Sequence, residues 1–277
     1  MTIAQLQYVL AVAEHQNFTR AAQKVFVTQP TLSIQIQKLE DELDIQIFDR
    51  SKKPIQLTET GKKIVTQARN IVNESDRIQD IVDQQKGFIG GEFRLGVIPT
   101  VMPTLLPMFL NNFIKKYPKV KLKIEELNTD TIIEKLKDGH LDAAIAATPL
   151  DLPGIKEQVL YYEPFVAYIP PGHRLSNQEK LMVEDLDVDD MLLLEDGHCF
   201  KDGVLNLCKA SRNYEGDSFQ LESGSFETLV KLSNEGLGMT LLPYLHTLDI
   251  KDTDNFKLKM FKDTVPTREG SLNYNIR

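Results

Sequence analysis

The sequence predicts an α/β protein preceded by a small, mostly helical domain, and three patterns carry that reading. Apolar residues recur at helical spacing up to Leu43 and then alternate. A heptad repeat follows from Thr58 to about Lys86, and beyond Gly87, Gly90 and Gly91 strand-like runs alternate with helical ones. With 277 residues, 42% of them hydrophobic and 26% charged, the chain is long enough for two domains and too apolar for wholesale disorder. Two cysteines exclude a disulfide framework, and residues 1–13 lack the basic start and cleavage site of a secretory signal. No run approaches the roughly 20 apolar residues of a membrane span, since residues 101–114 are broken by Pro103, Pro107, Asn111 and Asn112. A cytoplasmic protein with no membrane partner is expected.

The formal charge, 32 basic against 40 acidic residues or −8, argues on average against a nucleic-acid partner. Its distribution weakens that argument. Residues 1–89 hold 11 Lys and Arg against 11 Asp and Glu, the remainder 21 against 29, and residues 50–69 carry six basic side chains against Glu59 alone, a local +5. Such a patch fits phosphates or is a solvated helix face, and the neighbouring pattern shifts the balance.

Ile3, Leu6, Leu10 and Ala13 place a first helix, and the chain breaks at Gln16, Asn17 and Phe18. Thr19 is then the expected N-cap of a short helix over residues 20–25, with Phe26 and Val27 as the turn. Thr28 caps a third helix that carries Pro30 in its first turn and Leu32, Ile36, Leu39 and Leu43 as its buried stripe. Its other face presents Gln29, Thr31, Ser33, Gln35 and Lys38, side-chain types that meet base edges and phosphates when a helix enters a major groove. Ile45 and Ile47, then Ile55 and Leu57, alternate as a hairpin whose tip holds Arg50, Lys52 and Lys53.

The run from Phe18 to Gly61, FTRAAQKVFVTQPTLSIQIQKLEDELDIQIFDRSKKPIQLTETG, resembles the winged helix-turn-helix of LysR-type transcriptional regulators almost position for position. The resemblance extends over nearly the whole chain. It implies double-stranded operator DNA as partner, with Gln29, Pro30, Thr31, Ser33, Gln35, Lys38, Arg50, Lys52 and Lys53 as the contacting residues. Asp44 departs from the family's usual glycine after the recognition helix, but Asp tolerates the left-handed conformation a helix end often requires. From Thr58, an expected N-cap, Ile64, Ile71 and Ile78 lie on one heptad line and Ala68, Ser75 and Val82 on the next. That seam predicts a dimer through Ile64, Ala68, Ile71, Ile78 and Val82, and hence an operator of dyad symmetry. A helix packed on its own domain is the alternative.

The C-terminal region reads as βα repeats: a strand over 93–98, a helix over 105–116, a strand over 120–127, a helix over 131–137 and a strand over 141–147. A second such unit over about 165–261 holds residues 191–194, 225–234 and 239–242 as strand, helix and strand, which argues for mostly parallel α/β architecture. Ligands in such sheets bind beyond the carboxyl ends of strands, where Thr100, Thr129 and the segment after Leu194 fall. For Thr129 a plain helix N-cap is an equal reading. The layout is similar to the two-lobed, periplasmic-binding-protein-like effector domain of the LysR type. The expected domains are 1–58 for DNA binding, 59–88 as linker and 89–277 for regulation, the last with lobes of about 89–163 plus 265–277, and 164–264.

Both cysteines lie in the segment LLLEDGHCFKDGVLNLC, residues 192–208. His198, Lys201 and a helix N-terminus would favour a Cys199 thiolate, the form peroxide oxidises, while Glu195 and Asp196 oppose it. Cys208 alone reads as an ordinary buried cysteine. If residues 200–208 are helical, the sulfurs lie roughly 13 Å apart, beyond the roughly 7 Å Cα separation a disulfide allows. Sulfenic acid at Cys199, attacked by Cys208, would therefore trap an unwound second state.

Here the resemblance narrows to the hydrogen-peroxide-sensing, OxyR-like branch of the LysR family, and it continues through GVIPTVMPTLLP and GLGMTLLP. It implies Cys199 as peroxidatic and Cys208 as resolving cysteine. It further implies Thr100, Thr129 and His198 as peroxide-binding residues and Arg268 in PTREGSL as support, whereas Ser218 stands where such relatives often carry a His and takes over no role. Hydrogen peroxide would be the effector, with no cofactor, and a homodimer or homotetramer, RNA polymerase and cellular thiol reductants would be the partners. Relatives of this kind continue past the strand matching residues 268–274 into a further helix, so the first lobe is expected to lack that cover. A LysR-type regulator of a small metabolite, with incidental cysteines, accounts for everything except the motif around Cys199. A thiol peroxidase, an enzyme, would need a thioredoxin-like fold. A zinc site from His198, Cys199, Cys208 and the distant His173 lacks the usual spacing.

Overall fold

A computed structural model describes residues 1–85, 89–195, 199–207, 223–250 and 257–275, with the backbone alone for 79, 80, 83, 84 and 199. The chain divides into two compact units, Met1–Gly91 with Asp138–His140, and Glu92–Lys137 with Leu141–Arg277.

In the first unit α1 spans Ile3–His15, closed at its start by a capping box between Thr2 and Gln5. Helix α2 spans Phe18–Lys24 and begins two residues before the expected start. The Asn17 side chain accepts the Arg20 N–H at 3.0 Å, which leaves Thr19 inside the first turn. The α3 helix, Gln29–Leu43, is capped by Thr28 with Pro30 in its first turn, and it ends on Asp44 at φ 52°, the left-handed conformation anticipated for that residue. Leu6, Val9, Val12, Ala21, Leu32, Ile36, Leu39 and Ile47 fill the core.

The wing is β1 (Phe48–Asp49) paired antiparallel with β2 (Gln56–Leu57). It is shorter than the alternation suggests, because Ile45, Ile47 and Ile55 pack toward the core without extending the ladder. Helix α4, Glu59–Gln85, starts where Thr58 Oγ1 accepts the Gly61 N–H at 2.8 Å. Gly61 is required by proximity: a Cβ there would stand 2.1 Å from the Ile47 carbonyl oxygen. The expected seam splits in two. Ala68 is buried, and Ile64 and Ile71 are half-buried, in the core of the same unit beside Val65 and Val72. Ile78, Ile81 and Val82 are exposed.

The second unit is built from β3 (Gly91–Val97), α5 (Met102–Lys116), β4 (Val120–Glu126), α6 (Thr129–Lys137), β5 (Ala143–Thr148) and the long β6 (Ile155–Tyr168). There follow β7 (Lys180–Leu181), α7 (Cys199–Leu207), α8 (Phe226–Asn234), β8 (Thr240–Pro243), α9 (Tyr244–Thr247), β9 (Leu258–Phe261) and β10 (Thr267–Asn275). The strand order is β4-β3-β5-β10-β6-β9-β7, with β8 also on β6. Strands β3 and β5 are parallel, but β10 runs antiparallel to both β5 and β6, so the sheet is mixed where a mostly parallel one was expected. In the chain β10 follows β9, which lies on the other side of β6 in the sheet order. Up to Pro164 β6 pairs with β10, and from Phe165 it pairs with β8 and β9, so one strand serves two apolar cores. Residues 191–194 form a single bridge, Met191 to Met239, in place of the expected strand.

Candidate functional site

On the first unit the polar face of α3 is open. Gln29, Pro30, Thr31 and Lys38 are exposed, with Ser33 and Gln35 half-buried. Thr31 is engaged with the cap, its hydroxyl 2.8 Å from that of Thr28, and Gln35 accepts a hydrogen bond from Gln5. Lys52 and Lys53 are exposed at the wing tip. Arg50 behaves differently. Its guanidinium pairs with Glu40 at 2.8 Å and lies over the Phe18 ring at 5.2 Å. The other Glu40 oxygen accepts the N–H groups of Ile47 and Phe48. Glu40, which carries no signal in the sequence beyond one acid among several on a helix, therefore ties the wing to α3.

On the second unit the carboxyl ends of β3 and β4 adjoin, with Leu127 N–H donating to the Val97 carbonyl at 3.0 Å. Thr100 follows the first of these strands and Thr129 the second. The cap of α6 is Asn128, whose side chain accepts the Thr131 N–H. Thr129 is therefore not the cap, and its hydroxyl is buried with no hydrogen-bond partner among the described residues. Thr100 is buried against Arg268, which donates to its hydroxyl and to its carbonyl, each at 3.1 Å. Arg268 also pairs with Glu163 at 2.7 Å, and Glu163 Oε1 accepts the Leu245 N–H at 2.7 Å.

The Arg268 guanidinium sits 5.4 Å over the ring of Phe200, the second residue of α7. Phe200 packs in turn against Phe165 and Phe226. The structure thus brings together Thr100, Arg268 and the residue next to Cys199, whose own side chain lies outside the described residues, as do His198 and Cys208. Glu163 and Phe200 were not singled out by sequence. The zinc candidate has only His173 within reach of description, and its Nε2 lies 3.0 Å from an Asp190 carboxylate oxygen.

Beside this network a cleft of about 580 Å³ is lined by Leu105, Met108, Phe109, Ile145, Leu160, Tyr161, Tyr162, Glu163, Pro164, Tyr244 and Leu245. Burial pushes the Tyr161 phenol up to about 12, with the Glu163 charge adding to the rise and Arg268 opposing it. His246 is held below its ordinary value chiefly by burial.

Residues 3–62 match the family described as "Bacterial regulatory helix-turn-helix protein, lysR family", and residues 86–274 match "LysR substrate binding domain". The chain belongs to the LysR family. Within that family it is 36% identical over 245 residues to the "Hydrogen peroxide-inducible genes activator" of Dickeya chrysanthemi, covering 88% of this chain and 80% of the relative. It shares the same identity and coverage with the "DNA-binding transcriptional dual regulator OxyR" of Escherichia coli K12. Among solved structures, full-length OxyR C199D from Pseudomonas aeruginosa superposes with a TM-score of 0.82 at 32% identity, covering 99% of this chain and 92% of that one. A hydrogen-peroxide-bound mutant of Corynebacterium glutamicum OxyR matches with a TM-score of 0.63 at 30% identity, covering 99% and 86%. As a LysR-family chain it joins a DNA-binding helix-turn-helix to a regulatory domain, and no helix among its described residues is long and apolar enough to cross a membrane.

Proposed function

We propose that this chain is a cytoplasmic transcriptional regulator that hydrogen peroxide switches on through a reversible disulfide between Cys199 and Cys208. The observation that carries the reading is the placement of Cys199 at the start of α7, one residue from a ring stacked on the buried Arg268–Thr100 pair. The names of its 36%-identical relatives support the choice of peroxide. In this reading the Cys199 thiolate attacks one peroxide oxygen, the S–O bond forms as the O–O bond breaks, and the leaving hydroxide takes a proton to become water. The Cys208 thiolate then attacks the sulfenic sulfur and releases a second water. Two thiols supply the two electrons.

Thr100, whose oxygen already accepts from Arg268, keeps its own O–H to donate to peroxide, and the Thr129 hydroxyl, without a hydrogen-bond partner among the described residues, serves the same purpose. His198 completes the set. Domains of 1–58, 59–88 and 89–277 divide the work among operator binding, dimerisation and sensing. Gln29, Pro30, Thr31, Ser33, Gln35, Lys38, Lys52 and Lys53 face a dyad operator, and Arg50 acts mainly through the wing. The exposed Ile78 and Val82 join two protomers of a dimer or tetramer, which engages RNA polymerase and is reset by cellular thiol reductants.

The test is non-reducing peptide mapping with and without stoichiometric peroxide, on wild type and Cys199→Ser. A 199–208 linked peptide in the wild type alone is expected, and two free thiols after peroxide would refute the reading. Free thiols would favour the second reading, a metabolite-responsive regulator, for which the cleft beside Tyr161 is the supporting observation.

A further inference from the structure

We propose that Phe200 and the Glu163–Arg268 pair beneath it form a latch that holds the first turn of α7 in the reduced protein, and so determine how readily the disulfide forms. The inference rests on the reading of Cys199 and Cys208 as a redox pair. Phe200 is buried, with the Phe165 ring at 5.0 Å, the Phe226 ring edge-on at 4.9 Å and the Arg268 guanidinium at 5.4 Å over its face. That cation cannot follow a moving ring. Its Nε and Nη2 lie on Glu163, its Nη1 and Nη2 on the hydroxyl and carbonyl oxygens of Thr100, and the second Glu163 oxygen is held by the Leu245 N–H. All three residues are buried.

A helix of the length of Cys199–Leu207 separates its ends by about 12 Å, whereas a disulfide needs Cα atoms within about 7 Å. Bringing position 199 to position 208 must therefore unwind α7, and the residue bonded to Cys199 moves with it. Val204, the other buried side chain of α7 with a place in this core, is aliphatic and makes no such directional contact. Contacts present when α7 is helical and lost when it unwinds oppose disulfide formation by their full worth. They therefore make the disulfide easier to reduce, without touching either sulfur. Phe200 and Glu163 are positioning residues in this scheme.

The test equilibrates full-length protein in glutathione buffers, where glutathione disulfide accepts the two electrons and two protons of the thiols and becomes two glutathione thiols. The disulfide fraction is read by alkylation and mass. Phe200→Leu keeps an apolar side chain of similar size and removes the ring. It should raise the equilibrium constant for disulfide formation at least about tenfold, which is about 30 mV toward more negative potential. Its thermal midpoint should fall in the reduced form and match wild type in the oxidised form. Leu181→Ala, in the same core on β7, should lower both midpoints and leave the potential within about twofold of wild type. A Phe200→Leu protein with the wild-type potential, or with both midpoints lowered alike, would overturn the latch alone. A wild type that forms no disulfide would overturn the latch and the cysteine reading together.

Discussion

The two units solve the same problem with the same three side-chain types. In the first, Glu40 accepts the backbone N–H groups of Ile47 and Phe48 and holds Arg50, which lies over Phe18. In the second, Glu163 accepts the Leu245 N–H and holds Arg268, which lies over Phe200. The difference is in reach and exposure. Glu40 and Arg50 are ten residues apart and the arginine side chain is 39% exposed, whereas Glu163 and Arg268 are 105 apart and their side chains are 1% and 7% exposed. A local, half-solvated clamp fixes a wing that has only to stay in place. A remote, dry clamp lies under a helix that, in the proposed function, has to let go.

The largest effect should come from breaking the dry clamp. Glu163→Gln leaves the Arg268 charge buried without its counter-ion, a loss of about 3–5 kcal/mol, read as a lower urea midpoint of the second unit. Glu40→Gln leaves Arg50 able to reach water and forfeits mainly hydrogen bonds, about 1–3 kcal/mol. Equal losses in the two variants would remove the distinction between wet and dry clamps.

The same contrast explains what the sequence disclosed. Caps at Thr28 and Thr58, the left-handed Asp44 and the apolar stripe of α3 are decided within a few residues, and the structure has them, with Leu32, Ile36 and Leu39 buried and Leu43 half-buried. Asn17 and Thr19 are both cap-forming residues two apart, and only the reach of a side chain to the Arg20 N–H chose between them. The heptads of α4 could not report that α1 and the rest of the N-terminal core claim Ala68 while leaving Ile78 outside. The antiparallel β10 and the meeting of Thr100 with Arg268, 168 residues on, depend on how the chain returns through the sheet, which no local period records. Glu163 and Phe200 were silent for that reason, although Thr100 was named from its place beyond a strand end and Arg268 through the family motif.

A middle-sized effect separates the wing's cations. Lys52→Ala and Lys53→Ala should each lower the slope of log affinity against log salt by about one, as expected for lost phosphate contacts, with no change in the unfolding midpoint. Arg50→Ala should do the reverse, leaving most of the slope and lowering the midpoint, because its guanidinium is committed to Glu40 and Phe18. Anisotropy titrations across a salt range, paired with thermal melts, distinguish the two. Three identical slopes would place Arg50 on the DNA with its neighbours.

The smallest effect belongs to the second clamp alone, because a histidine faces it. His246 packs at 5.1 Å on Phe226 and is held below its ordinary value of 6.5 by burial, aided by the Arg268 charge and opposed by Asp249, Glu163 and Glu227. In the window between that depressed value and 6.5 the unfolded chain binds a proton that the folded chain refuses. Stability contributed by the neutral imidazole is therefore intact above about pH 6.5 and is lost as the pH falls through the window. Thermal midpoints of the second unit measured from pH 7.5 down to 5.5 should decline more steeply in the wild type than in His246→Gln. Matching declines would mean that the proton is taken up without cost, and that the pocket between Phe226 and the Glu163–Arg268 pair is wetter than its packing indicates.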